Sequence, residues 1–165
     1  MTADRAGRGL NHTEAMSCHI AIELGAESGR GVLATLESGR VAIEEIHRFP
    51  NVPIHMGATL HWDFPRIVNG VKAAISLAAR KVGGRLRSVG VDSWGVDYGL
   101  LPGSRGSLGL PIHYRDRRTD GAMEEVFARV PRLELFFETG TQMLQLNTLF
   151  QLWVHQRQEP EVLAT

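Results

Sequence analysis

The run from Asp63 to Gly84 constrains this chain more than any other. Its apolar positions Phe64, Ile67, Val68, Val71, Ile75, Ala78 and Val82 follow i, i+3, i+4 and i+7 spacing, one stripe of an α-helix. Asp63 suits the N-cap, Pro65 falls in the first turn where its missing N–H does no harm, and Gly83-Gly84 supplies the stop. What precedes the helix reads as sheet. His19 to Leu24 is a short, mostly apolar strand, Gly25 to Arg30 a small-residue turn, and Gly31 to Leu36 the returning strand. A Ser-Gly turn at 38–39 leads to Val41 to Phe49, whose alternation makes a third strand of a meander. Pro50, Pro53 and the region of Gly57 read as a loop ending at Trp62.

Beyond the helix, Ser88 to Leu101 predicts strand, sharp bend, strand. Val89 and Val91 lie before, and Val96, Leu100 and Leu101 after, a polar hinge of Asp92, Ser93, Trp94 and Gly95. The hinge brings a carboxylate, a flat indole and an approachable glycine backbone into one small space, which is what a sugar site uses. A hairpin around an ordinary core tryptophan accounts for the same residues, and both readings stand at this point. Gly103 to Gly109 follows as a loop, Leu110 to Tyr114 as an edge strand, and Thr119 to Arg129 as a helix broken by Pro131. A last amphipathic stretch runs from Leu146 to Gln158 and stops at Pro160, with Glu161 to Thr165 as a tail. Residues 1–15 hold hardly any large apolar side chain and are expected to be a disordered tail ahead of one domain over 16–165.

Composition excludes more than it selects. A chain of 165 residues is about one domain and buries roughly two thirds of its unfolded surface without staples. Eighteen basic and eighteen acidic side chains cancel, so no global field recommends nucleic acid or an anionic membrane as partner. The single cysteine, Cys18, rules out an internal disulfide and a cysteine metal cluster, and fits a reducing compartment. No window approaches the roughly 18 apolar residues of a membrane span. A cytoplasmic protein is the expectation.

The order of meander, helix, strand and helix is that of the α/β ribonuclease H-like fold, which actin-like ATPases also use. The motifs are more specific than the order. Glu23-Leu-Gly-Ala-Glu-Ser-Gly-Arg30, Val91-Asp-Ser-Trp-Gly-Val-Asp-Tyr-Gly-Leu-Leu101 and Leu110-Pro-Ile-His-Tyr-Arg-Asp-Arg-Arg-Thr119 resemble, in sequence order, segments of the FGGY carbohydrate kinases, and within them the rhamnulokinases. Glu45-Ile-His-Arg-Phe49 and Thr139-Gly-Thr-Gln142 with Asn147-Thr-Leu-Phe-Gln-Leu152 add two more matches, so the resemblance runs from about Met16 to about Pro160. It implies that Ala26, Glu27, Ser28, Gly29 and Arg30 contact ATP phosphates, and that Glu23 lies near Mg2+. It further implies that Gly95, Trp94 and Asp97 meet the sugar, L-rhamnulose or a related ketose, with Arg115, Asp116 and Arg118 as a charged network beside it. Asp97 serves equally as a structural cap.

Two departures bear on phosphate. The family segment reads Asp-Leu-Gly-Ala-Ser-Ser-Gly-Arg, so Glu23 adds a methylene to a ligand whose geometry magnesium constrains tightly. Glu27 places a carboxylate where the family has serine. At about 4 Å from a phosphate it costs on the order of 4 kcal/mol per unit charge at an effective dielectric near 20. FGGY kinases have two lobes; the general-base aspartate and the adenine pocket belong to the later part, so this lobe alone is expected to be inactive, with a separately encoded C-terminal lobe as a candidate partner. Two other classes remain. One is a ribonuclease H-type nuclease using Glu23, Asp92 and Asp116 as metal carboxylates, which neutral charge and the Trp-Gly bend oppose. The other is a non-catalytic remnant or interaction module.

Because the first apolar strand and the resemblance both begin at Met16, residues 1–15 should be dispensable. Limited proteolysis is expected to remove them without changing the unfolding midpoint of the remainder; protection of their amides from hydrogen exchange would refute the boundary.

Overall fold

The computed structural model describes residues 16–101 and 109–163. The proposed tail at 1–15 and most of the loop at 103–109 lie outside the described residues. Three antiparallel strands open the domain: β1 (Ser17–Leu24), β2 (Ser28–Glu37) and β3 (Arg40–Pro50). Ser38 and Gly39 join β2 to β3 with φ of 49° and 72°, the double positive-φ turn that matches strand twist in a two-residue hairpin. The loop expected over 50–62 is instead a second hairpin, β4 (Pro53–Met56) and β5 (Thr59–Trp62), turning at Gly57 with φ 65°. Then come α1 (Phe64–Val82), a 3-10 turn at Gly83–Arg85, and β6 (Leu86–Asp92), which pairs parallel to β1. The sheet order β3-β2-β1-β6 is the ribonuclease H-like order expected.

Helix α1 forms as its sequence dictates. The Asp63 side chain accepts from the Arg66 N–H at 3.1 Å, proline sits in the first turn, and Gly83 ends the helix at φ 59°. Its buried line, however, is Ile67, Gly70, Ala74, Ala78 and Val82, while Phe64 is exposed. Small residues run along the contact because the helix lies very close to the sheet. A Cβ on Gly31 would stand 2.7 Å from the Cβ of Ala74, and one on Gly70 would stand 2.5 Å from the Phe49 ring. The ring of Phe49 also fills the space above Gly29, where a Cβ would meet it at 2.2 Å. Cys18, Ile20, Ile22 and Leu33 complete this core from the sheet.

The remaining elements are short and helical. The expected edge strand at 110–114 is reduced to a single bridge between Ile112 and His61. A 3-10 turn at Arg117–Thr119 leads to α2 (Ala122–Phe127), α3 (Arg132–Thr139), α4 (Thr148–Gln158) and α5 (Pro160–Leu163). Pro131 is the N-cap residue of α3, a helix not expected from the sequence. Ala122, Val126, Met143, Phe150 and Val154 make a second core. None of the residues of α3 is buried, and on β6 Val89 and Val91 are 47% and 61% exposed.

The segment from Leu110 to Asp116 is fastened to the second hairpin. Pro111 C=O accepts from the Trp62 N–H at 2.9 Å, the His113 N–H donates to Leu60 C=O at 2.9 Å, and Asp116 Oδ2 accepts from the Leu60 N–H at 2.6 Å. His113 is 2% exposed and stacks on Trp62 with ring centroids 3.9 Å apart. Its Nδ1 accepts from the Arg115 N–H at 3.0 Å, a bond that needs the neutral ring. Burial, with Arg115 adding a like charge, pushes its pKa from 6.5 down to about 4. The unfolded chain therefore binds this proton more readily, and the stabilisation is complete above about pH 6.5 and lost as pH falls toward 4. A shift of this size amounts to on the order of 3 kcal/mol. His113→Asn is expected to flatten the dependence of the urea midpoint between pH 7 and pH 4.5; equal slopes for variant and parent would show that another group is responsible.

Candidate functional site

The ends of β1 and β6 define the site. Their parallel register sets Glu23 beside Asp92, so the turn after β1 and the bend after β6 open at the same edge of the domain. The turn is shorter than expected. Ser28, Gly29 and Arg30 already belong to β2, paired with β3, and only 25–27 lies between the strands. A side chain at Gly29 would enter the space that Phe49 occupies, so packing by itself requires glycine there. The Gly25 N–H is used within the turn, donating to Ser28 C=O at 2.9 Å. The N–H groups of Ala26 and Glu27 donate to no acceptor among the described residues.

Asn51, which the sequence reading passed over, clamps this turn. Its N–H donates to Glu27 C=O and its Nδ2 to Gly25 C=O, both at 2.9 Å, from a side chain that is 4% exposed. The only advance signal was its place two residues after the Glu45 to Phe49 match. Glu23 is held across the strands by Arg30, whose Nε donates to Oε2 at 2.6 Å. Arg48 grips Glu45 through Nε at 2.8 Å and reaches Ser28 Oγ at 3.3 Å. That contact with Arg48 holds the Glu45 carboxyl below the usual range. A hollow of about 360 Å³ lies over the turn, walled by Glu23, Glu27, Arg30, Arg48 and Arg115 among others.

On the other side of the site the chain does not return as a strand after β6. Residues 93–101 are irregular, and Val96 has φ 68°, a conformation that costs a β-branched residue about 1–3 kcal/mol. Its carbonyl is what holds it there, accepting from Thr148 Oγ1 at 2.6 Å and from Gln151 Nε2 at 3.2 Å. Asp97 Oδ2 accepts from two indoles, Trp94 Nε1 at 2.6 Å and Trp62 Nε1 at 2.8 Å, with the ring centroids 4.5 Å apart. Asp97 Oδ1 is buried with no partner among the described residues. Burial raises the Asp97 pKa, opposed by the two indole bonds. Trp62, Trp94, Asp97, Tyr98 and Phe64 line a hollow of about 200 Å³. Gly95 is exposed, and a Cβ built there meets nothing within 4 Å.

The charged network expected from Arg115, Asp116 and Arg118 does not form. Asp116 is spent on backbone N–H groups, those of Leu60 and of Arg118 at 2.8 Å. Arg118 donates to Gln151 Oε1 at 3.0 Å, and Arg115 lines the hollow over the turn after β1 instead. Asp116 is likewise unavailable to join Glu23 and Asp92 as a metal carboxylate, and no group of three His, Cys, Asp or Glu side chains among the described residues is placed to hold a metal ion. The nuclease reading loses its ligand set.

No helix among the described residues is long and apolar enough to cross a membrane. No family model matches the chain. Rhamnulokinase of Oceanobacillus iheyensis is 36% identical over 150 residues, which is 88% of this chain and 31% of that protein. Rhamnulokinase of Bacteroides thetaiotaomicron is 40% identical over 133 residues, 81% of this chain and 27% of that protein. Among solved structures, gluconate kinase from Lactobacillus acidophilus superimposes with a TM-score of 0.77 at 16% identity, over 92% of this chain and 30% of that one. Ligand-bound xylulose kinase from Lactobacillus acidophilus does so with a TM-score of 0.77 at 17% identity, over 90% and 30% respectively. The chain thus spans about 30% of the length of its relatives. It has the fold of sugar kinases in the actin-like ATPase class, and its sequence matches the N-terminal part of rhamnulokinase-like sugar kinases.

Proposed function

We propose that this chain is the sugar-binding lobe of a kinase that moves the γ-phosphate of ATP to a hydroxyl of L-rhamnulose or a related ketose. The observation that carries the reading is the register of Glu23 against Asp92, which brings the phosphate turn and the sugar bend, almost 70 residues apart in sequence, to one edge of one sheet. Ala26 and Glu27 offer to phosphate oxygens N–H groups that have no acceptor among the described residues, and Arg30 adds a cation. Glu23 and Asp92 are two carboxylates on adjacent strand ends, a donor set that suits Mg2+, which takes one or two carboxylates together with phosphate oxygens. Bound there, the ion would neutralise phosphate charge. The Trp94 indole, fixed by Asp97, offers a flat apolar wall to the sugar; Asp97 Oδ1 is an acceptor for a hydroxyl, and Gly95 leaves room for the ligand to approach backbone.

Phosphoryl transfer needs positioning and charge stabilisation on both sides of the phosphate. This reading assigns the second side to a C-terminal lobe, and the sheet supports that assignment. Among the described residues β6 pairs only with β1, and its Val89 and Val91, like Leu133 and Phe137 of α3, present apolar surface that the rest of such a kinase would cover.

Two measurements test this proposal. Purified 165-residue protein should show no turnover of L-rhamnulose with ATP and Mg2+ in a coupled assay; a rate well above the enzyme-free control would refute the two-lobe assignment. L-Rhamnulose should change the tryptophan fluorescence of the chain, and Gly95→Val should weaken that binding at least about tenfold, roughly 1.4 kcal/mol. The melting temperature should not move, because the added side chain meets no protein atom within 4 Å of its Cβ. If parent and variant bind alike, the bend is scaffold and not a sugar site.

A further inference from the structure

The walls of the phosphate-turn hollow carry three arginines and two glutamates, and their commitments differ. Arg30 is paired with Glu23, and Arg48 with Glu45. Arg115 has no carboxylate within ion-pair distance among the described residues; its guanidinium stands 5.2 Å from the centre of the Tyr114 ring. Glu27, the acid that departs from the family motif, is also without an ion-pair partner among the described residues, and it lines the same hollow. One uncommitted cation therefore shares a 360 Å³ space with one uncommitted carboxylate and two free backbone N–H groups.

Arg115 is also well anchored. Its N–H is bound to His113 Nδ1 at 3.0 Å, and the next residue is fixed through Asp116 Oδ2 to the Leu60 N–H at 2.6 Å. A held backbone with a free guanidinium is pre-organised for a tetrahedral anion, which it binds through two parallel N–H donors. With Arg115 counted, the arginines outnumber the glutamates on the wall by one (three minus two); without it the charges cancel.

We infer that Arg115 is a further phosphate-positioning residue, delivered to the turn by the segment that borders the sugar hollow, and that it offsets the Glu27 carboxylate. The inference rests on the reading of 25–30 as a phosphate turn. It also gives an account of how glutamate is tolerated at 27: the repulsion it adds is met by a cation that the rest of the site leaves unpaired.

The test uses the full chain, labelled with 15N and titrated with ATP and, separately, with inorganic phosphate. The amides of Ala26 and Glu27 and the Nε–H of Arg115 should shift together along one binding curve. Arg115→Gln should weaken ATP at least about fivefold and Arg115→Lys less, while Arg117→Gln, on a side chain 93% exposed and paired with Asp120, should change nothing. Glu27→Gln should tighten ATP and, combined with Arg115→Gln, return most of the lost affinity. Should Arg115→Gln fail to fold, the Arg115 Nε–H of the parent decides: no shift on ATP binding overturns the inference. Shifts at Ala26 and Glu27 with unchanged affinity in Arg115→Gln also overturn it, and leave the phosphate turn standing. No response at either place overturns both.

Discussion

The ring of Phe49 sets how closely helix α1 lies on the sheet. It fills the space that a side chain would need at Gly29 on β2 and at Gly70 on α1, so strand, strand and helix meet around one phenyl group. Interiors packed to crystal density leave no slack for an extra methyl group, and the same closeness is repeated one step along the strand, where Gly31 faces Ala74. The site inherits its precision from this contact. The strand that carries Phe49 runs directly into Asn51, which ties down the turn after β1, while the helix begins two residues beyond Trp62, whose indole reaches the Asp97 carboxylate.

Elements whose signal is local were legible in the sequence. Helix α1 came out with its cap and stop because Asp63, Pro65 and Gly83 act on the backbone next to them, and the meander did because alternation is a property of neighbours. The second hairpin was hidden by Pro50, Pro53 and Gly57, which mark turns whether or not strands lie between them. The return strand after the bend was expected because Val96, Leu100 and Leu101 are good strand formers; two donors from α4 override that propensity.

The candidate site was legible in outline, while the protein contacts of its residues were not. The motifs named the turn and the bend, and the fold brings them together. Gly29 serves packing, Asp97 is occupied by two indoles, and Arg115 faces the hollow over the turn. None of this follows from spacing, because each depends on a partner 20 or more residues away: Phe49 for the glycine, Trp62 for the aspartate, and the hairpin holding Leu110 to Asp116 for the arginine. The net charge of zero is equally uninformative about the turn, where three arginines stand among two glutamates.

The Val96 carbonyl makes the bend depend on chain that is synthesised later. Its two donors lie 52 and 55 residues further on, and without them nothing repays the cost of a left-handed valine. A nascent polypeptide that has not yet reached Gln151 can close its meander, dock α1 and make the bonds from Trp62 and Trp94 to Asp97, yet it lacks the two donors that hold the Val96 carbonyl. Order at the bend after β6 is thus a late and long-range acquisition, whereas the turn after β1, clamped by Asn51 only 24 to 26 residues beyond its own backbone, is set as soon as the third strand is made.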